Sequence, residues 1–430
     1  MTPLLSVLDR KLLRNLGTLR GQVITIALVV GAGIATYVTL QGTWDSLIYS
    51  RDAYYERYRF AEVFARLKRA PDAVADRVGA VDGVAEVDTR VTEIVNLPFP
   101  DEPEPAAGQI LSIPSDGSQP AMNQVALQSG RWPAPGRSDE ILLLDNFAKA
   151  RSISPGDELT VIVNGTRRDL SVTGTALSPE FVFAMEPGNA MPEPDGFAVI
   201  WMFEEAVAAA FQMEGAFNGL VLRLQPGASE AAVIDAVDRI LEPYGGFGAV
   251  GRDLQESNYF LSEEIGQLEQ LATMVPLIFL GVAAFLLNVV LSRLIHLQRS
   301  QIAALKALGY ADLQIGMHFL KLVSVVVVIG AVLGIVTGWY LGRGLTDIYT
   351  QYFHFPVLRY RLDWRVAMLG IVISLAAAVI GSAIAVRQVV RLPPAEAMRP
   401  PAPDAMRLDL PAGVVGALDS PTRIILRSVL

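Results

Sequence analysis

Four runs free of charged side chains constrain this chain more than any other feature. They cover residues 23–40, 272–291, 322–341 and 366–386, and are 18, 20, 20 and 21 residues long. A helix of roughly 20 apolar residues crosses a hydrocarbon core about 30 Å thick while satisfying its backbone polar groups internally. Each run therefore predicts a transmembrane helix. More than 200 residues of ordinary soluble composition separate the first run from the second. The expected fold is an α+β membrane protein, with four transmembrane helices and a large extracytoplasmic α+β domain inserted between helices 1 and 2.

Charge separates the two parts. Residues 45–270 carry 17 Lys and Arg against 36 Asp and Glu, a net −19, whereas the rest carries 18 against 8, a net +10. Short Lys- and Arg-rich segments stay on the cytoplasmic side, while a long domain is translocated largely regardless of its charge. Arg10, Lys11, Arg14 and Arg20 place the N-terminus inside; the acidic domain is then outside, and residues 292–321 and the tail after Val386 are inside. The loop at 342–365 breaks the rule, being external yet carrying Arg343, Arg359, Arg361 and Arg365. Parity keeps it there, because reversing the last two spans needs an odd number of crossings before them. A signal peptide is a poorer reading of the first run, since no A-x-A pattern follows and its 18 residues exceed the usual roughly 7–15 of a signal core. The absence of cysteine excludes a disulfide framework and thiol chemistry.

The chain divides accordingly into a cytoplasmic amphipathic helix (1–20), helix 1 (21–44), the domain with its stalk helices (45–270), helix 2 (271–291), a cytoplasmic loop (292–321), helix 3 (322–341), an external loop (342–365), helix 4 (366–386) and a cytoplasmic tail (387–430). Leu5, Leu8, Leu12, Leu16 and Leu19 recur at helical spacing among the N-terminal basic residues, as in a helix lying in the inner interface. Trp44, Ile48, Arg51, Tyr55 and Tyr58 continue the period past helix 1. Leu254, Leu261, Ile265, Leu268 and Ala272 lead into helix 2, so two helices are expected to emerge together as a stalk.

Within the domain, strands are expected at 62–68, 84–95, 140–144, 159–164, 169–173, 197–202 and 219–224, and helices at 73–78, 204–210 and 231–241. Asn164 and Gly165 mark a hairpin turn. Pro-rich stretches at 98–105 and 186–194 mark hinges or loops. The pattern reads as one βαβ-like subdomain, 62–95 with 197–241, split by a mostly β insertion.

The segment after helix 2 carries Arg299, Gln301, Ile302, Leu305, Lys306, Ala307, Leu308 and Gly309. Ile302, Leu305 and Leu308 form an apolar face on a short helix that Gly309 ends as a left-handed cap. That face needs a groove, on a partner or on the chain's own inner surface. From Arg299 to Gly309 the stretch resembles the coupling loop of MacB/FtsX-type ABC transporter permeases, which reads approximately R-x-E-I-x-x-L-K-A-L-G; Gln301 stands where the family usually has Glu. Residues 391–399, R-L-P-P-A-E-A-M-R, are similar to the family's R-x-x-P-x-E-A-L-R element after its last span. Residues 127–182, with Gly130-Arg131-Trp132, Ala148 and Gly156-Asp157, look like its extracytoplasmic core domain.

The resemblance implies a coupling helix that docks on a separate ABC ATPase subunit. ATP-driven closure would move the stalks, and the outer domain would then act on a substrate or partner, in export or mechanotransmission. It also implies a bacterial inner (plasma) membrane location and a second permease half, and it leaves room for a membrane-fusion adaptor. No G-x-x-x-x-G-K-[ST] occurs, so P-loop binding of ATP is excluded for this chain, which reads as a permease subunit and not an enzyme.

The remaining residues of note are few. His296, His318 and His354 have no second ligand at metal spacing and read as interfacial side chains; no metal, other cofactor or nucleic acid is expected. Gly330, Gly334 and Gly338 give helix 3 a face for close helix packing, either static or moving. Asn288, the amide inside helix 2, reads as interhelical glue, and Lys321 as a side chain snorkelling to the interface. Residues 419–430 place a basic, Leu-rich helix much as residues 9–16 do, just before where a span would begin, which suggests a second permease half downstream; a homodimer is the other source of two halves. Two rival functions share the layout. One is a membrane-anchored sensor signalling through the stalk, and the other a scaffold that activates an extracytoplasmic partner such as a cell-wall hydrolase.

Overall fold

The structure is a computed structural model that describes residues 7–100, 102–185 and 195–391. The Pro-rich stretch at 186–194, most of the 391–399 element and the tail helix at 419–430 lie outside the described residues. The chain separates into two compact units, one of residues 21–283 and 325–378, the other of residues 1–20, 284–324 and 379–430. In chain order, α1 (Val7–Thr18) is followed after Leu19 by α2 (Arg20–Arg57), 38 residues without a break. No Gly or Pro interrupts α2 beyond Gly42, so the helix period carries on past the apolar run.

An α/β domain follows. Its first segment is β1 (Val63–Pro71), α3 (Ala73–Gly79) and β2 (Val84–Arg90). A long middle segment holds β3 (Thr92–Leu97), β4 (Ala106–Ile113), β5 (Ala126–Gly130), β6 (Glu140–Leu144), α4 (Asp145–Ala150), β7 (Glu158–Val163), β8 (Thr166–Leu177), β9 (Phe197–Phe203) and α5 (Glu204–Phe211). The last is β10 (Ala216–Leu224), α6 (Glu230–Leu241) and β11 (Val250–Gly251). Among the described residues these strands form two sheets.

The smaller sheet has the order β11-β1-β10-β2, antiparallel throughout. With α3 and α6 it makes the βαββαβ pattern of ferredoxin-like units. Period-two alternation explains how it serves two cores at once. Val63, Ala65 and Leu67 of β1 pack with Val74, Val78, Val233 and Val237 of the helices, while Phe64, between them, faces the larger core.

The larger sheet has the order β5-β8-β6-β9-β4-β3-β7, and β7 also pairs with β8. Six strands thus close on themselves as a small barrel, with β5 added outside β8, and closure removes the exposed edges. Its pairs β4–β9 and β6–β8 are parallel, the others antiparallel. Inside lie Leu97, Ile110, Ile141, Leu143, Val161, Val172 and Ile200. Asn164 and Gly165, at φ 46° and 74°, turn between the paired Val163 and Thr166 as a two-residue hairpin requires.

Three sequence expectations change here. The strand at 84–95 breaks at Val91, sending β2 and β3 into different sheets. The β9–α5 pair belongs to the barrel and not to the ferredoxin-like unit, so the split subdomain resumes only at β10. Strands β4 and β5 and helix α4 were not anticipated.

After the domain come α7 (Glu256–Leu297), α8 (Arg299–Ala307), α9 (Asp312–Tyr349) and α10 (Trp364–Arg391). Leu261, Ile265, Leu268 and Ala272 line the buried face of α7, but Leu254 precedes the helix and is 66% exposed. Four helices, α2, α7, α9 and α10, are long and apolar enough to cross a membrane. In the domain-bearing unit, Tyr55 of α2 donates from its hydroxyl to Asn258 Oδ1 of α7 at 3.0 Å. Arg252 caps the same junction, stacking 5.2 Å from the Phe60 ring and donating to the Phe60 and Ala61 carbonyls. The segment between α9 and α10 touches the domain, since His354 N donates to Val182 O at 2.7 Å, and the end of α9 is tied to α7 by Tyr349 Oη, which donates to Glu264 Oε1 at 2.6 Å.

Candidate coupling site and helix seams

In the smaller unit, α7 ends at Leu297 and α8 begins at Arg299, with Gln298 breaking the helix at φ −100° and ψ 12°. The Gln298 side chain donates from Nε2 to Asn15 Oδ1 of α1 at 3.1 Å. Gly309 takes φ 89°; Tyr310 N donates to Leu305 O at 3.1 Å and Gly309 N to Lys306 O at 3.0 Å. Those two bonds make a Schellman cap, which a glycine completes without steric strain. Lys306 Nζ lies 2.8 Å from Asp312 Oδ1 in the first turn of α9, and its side chain is only 8% exposed. The carboxylate also suits the positive end of that helix.

The apolar face of α8 is divided. Ile302 and Ala303 are buried in this unit, as are Leu294, Ile295, Ile315 and Phe319. Leu305 is half-buried, whereas Leu308 is 77% exposed and Leu313, in the first turn of α9, 76%. Gln301 and Ala307 face outward, and Arg299 is half-buried. Asn288 is half-buried with its Oδ1 enclosed and without a hydrogen-bond partner among the described residues. That oxygen makes no interhelical bond. His318 is buried, His354 half-buried and His296 exposed. Among the described residues, no three His, Asp or Glu are grouped to hold a metal ion.

In the larger unit, Gly330, Gly334 and Gly338 bring α9 against α2. A methyl group added at these positions would stand 2.7, 2.6 and 2.7 Å from the carbonyl oxygens of Ala27, Gly31 and Ala35. Both series ascend together, so the helices run parallel with their backbones in contact. Thr39 Oγ1 donates to Gly338 O at 3.2 Å and extends the seam by a turn. The partner stripe, A-x-x-x-G-x-x-x-A at 27–35, was visible in the sequence by the same spacing rule but was not singled out. A second close approach, within the smaller unit, sets Gly381 of α10 against Ala284 of α7. A cavity of about 300 Å³ lies among α2, α7 and α10, lined in part by Tyr37, Gln41, Thr273, Pro276 and Ser374. Pro276 has no N–H to bond the Ala272 carbonyl, so the α7 backbone is weakened at the cavity wall.

In the domain, a clamp joins the two sheets. Arg90 at the end of β2 forms two bonds of 2.5 Å to Glu180 after β8, and Asn123 donates to the same carboxylate at 2.9 Å. Asp88 and Glu204 line the adjoining cleft, and burial raises the pKa of both carboxyls. The Gly130-Arg131-Trp132 and Gly156-Asp157 elements are scaffold. Arg131 makes a two-pronged ion pair with Glu140 at 2.8 Å, and Asp157 accepts from Ser154 N at 2.7 Å in the turn before β7.

Four long apolar helices with an α/β domain define a multi-pass membrane protein. Within it, residues 273–394 match the family described as FtsX-like permease C-terminal. That segment runs from inside α7 through α8 and α9 to just past α10, and it contains Arg299–Gly309, the stretch that carries the resemblance. No curated protein matches the chain. Solved structures similar to it include the extracellular domain of the noncanonic ABC-type transporter YknZ from Gram-positive bacteria, at 12% identity and TM-score 0.28, covering 43% of this chain and 97% of that one. The periplasmic region of MacB from Actinobacillus actinomycetemcomitans is similar at 10% identity and TM-score 0.29, covering 49% and 95%. A domain of a putative permease protein from Porphyromonas gingivalis is similar at 13% identity and TM-score 0.25, covering 44% and 89%.

Proposed function

We propose that this chain is the permease subunit of an ABC transporter in a bacterial inner membrane, with the α/β domain outside and a separate ATPase docked at α8. The observation that carries the reading is the form of the α8 hook within an FtsX-like permease region. Ile302 and the Lys306–Asp312 pair anchor it, while Leu308 and Leu313 are each about three-quarters exposed among the described residues. A docked partner would bury these leucines. Movement of α8 would pass into α7, a single helix back to the base of the domain, so the output is mechanical work or export by the domain. The backbone contact between α2 and α9 supports mechanical transmission, because it closes that pair against passage of a solute.

The test is co-purification of the full chain with its ATPase, together with stimulation of ATP hydrolysis. Leu308→Asp, and Leu305→Ala with Leu308→Asp, should abolish both. Association that survives the double substitution would refute docking at α8. Cysteine labelling that made Lys306 and Asp157 reachable from one side would refute the orientation.

A further inference from the structure

The loop between α9 and α10 is where the sequence violates its own charge rule, and the structure gives two of those arginines, Arg359 and Arg361, a common setting. Residues 356–361 lie along the 49–58 stretch of α2 and enclose a groove of about 470 Å³. Arg57, Arg359 and Arg361 line it together with Tyr49, Tyr58 and Val357, and no carboxylate lines it. None of the three arginines is ion-paired among the described residues, and all are exposed. Arg361 stacks 4.6 Å from the Tyr49 ring and Arg57 lies 5.7 Å from the Tyr58 ring, contacts that orient a guanidinium without consuming its charge.

The loop is fixed to α2. Tyr360 Oη donates to Val38 O at 2.9 Å, and Arg361 N donates to Ser46 Oγ at 2.9 Å. The Tyr360 ring also occupies the space beside Gly42 and Gly342, where any side chain would collide with it. Tyr340, at the end of the third apolar run, and Trp364, the first residue of α10, are 73% and 69% exposed, and Tyr352 of the loop between them is 50% exposed. Exposed Trp and Tyr mark the depth of lipid headgroups.

The geometry points to a binding site for the phosphate headgroup of an anionic phospholipid, drawn from the leaflet on the domain's side of the membrane. Three guanidiniums supply fork-shaped donors for phosphate oxygens, and the Tyr49 ring, 58% exposed, flanks them. The inference rests on the chain spanning a membrane; it does not depend on which side the domain faces. A bound headgroup would brace α2 against the loop at the root of the stalk.

The test uses the full chain in detergent, titrated by native mass spectrometry with phosphatidylglycerol, phosphatidylcholine and soluble glycerol phosphate. Phosphatidylglycerol should bind with clear preference over phosphatidylcholine, and glycerol phosphate only weakly. Arg359→Gln with Arg361→Gln should weaken phosphatidylglycerol binding about 30-fold, given the attraction of an anionic lipid surface for each basic side chain. Arg359→Lys with Arg361→Lys should restore most of it, and Arg57→Gln alone should lower it several-fold. Unchanged phosphatidylglycerol binding in the Gln variants overturns the proposal. Glycerol phosphate binding as tightly as the lipid overturns the lipid assignment. Labelling that put residue 357 on the cytoplasmic side would instead overturn the orientation and leave this measurement standing.

Discussion

Gly334 of α9 lies so close to Gly31 of α2 that a methyl group on the former would stand 2.6 Å from the carbonyl oxygen of the latter. Contact of this kind is possible only where both helices present small residues, and it recurs one turn on either side. Gly334→Leu should therefore force the pair apart and cost about 1–3 kcal/mol, the usual range for overpacking a filled site. Val336→Leu, on a face that is 62% exposed, should leave stability unchanged. Thermal unfolding of the purified full chain in detergent compares the two, and equal melting temperatures would contradict the seam.

The Arg90–Glu180 clamp should be the most sensitive ion pair of the domain. Its side chains are 16% and 9% exposed, so Glu180→Ala strands a largely buried guanidinium and should cost roughly 3–5 kcal/mol. Replacing both partners, Arg90→Met with Glu180→Leu, should cost much less, because no charge is left behind. Denaturant unfolding of the two variants reads the difference directly.

Glu140 sets a pH dependence. Its hydrogen bonds from Arg131, and then from Ala134 N, hold its carboxyl at a pKa of about 2, well below the ordinary 4.5. A carboxylate with a depressed folded pKa contributes stability that is present above the unfolded value and lost as pH falls. The contribution should therefore fade between about pH 4.5 and pH 2. Glu140→Gln should be less stable at neutral pH and show a flatter profile across that window. Asp88 works in the opposite sense: burial raises its pKa, so its carboxylate strains the fold as pH rises. Asp88→Asn should gain stability at neutral pH. Melting temperature followed from pH 7 to pH 2 checks both.

Lys306 and Asp312 join the end of α8 to the start of α9. Asp312 is 47% exposed, so Asp312→Ala should cost only about 1 kcal/mol of global stability. If α8 is the docking hook, the same change should reduce stimulation of the partner ATPase by several-fold. A melting temperature near that of the parent with full stimulation would show that the pair is merely local.

The helical part was the more legible in sequence, because its rules are strong. Apolar length marked all four long helices, period 3.6 carried α2 and the buried face of α7, and Gly309 capped α8 as its left-handed φ demands. The domain was legible where β-branched residues or turn chemistry spoke clearly, as in β6 and at Asn164 and Gly165. It failed where they did not. The β4 stretch begins Ala-Ala-Gly, weak strand formers that suit it only because Gly108 lies under Leu97 and Ala198. The break at Val91 carries no Gly or Pro; what ends β2 there is tertiary, since Asn218 exchanges bonds with Thr92 N and Thr92 O at 2.8 and 2.9 Å. Leu254 fitted the heptad by spacing alone, yet Gln255 is extended and the helix starts one residue later. The division of the α8 face was unreadable as well, because burial of Ile302 depends on segments distant in the chain.

Arg90 and Gly219 sit opposite one another on adjacent strands, so the barrel departs from the ferredoxin-like unit and rejoins it at what would otherwise be the two sides of one hairpin. A module inserted at such a point has its entrance and exit side by side. Residues 91–215 can thus be exchanged as one block, provided the replacement again supplies a carboxylate for Arg90 and an apolar surface for Phe64.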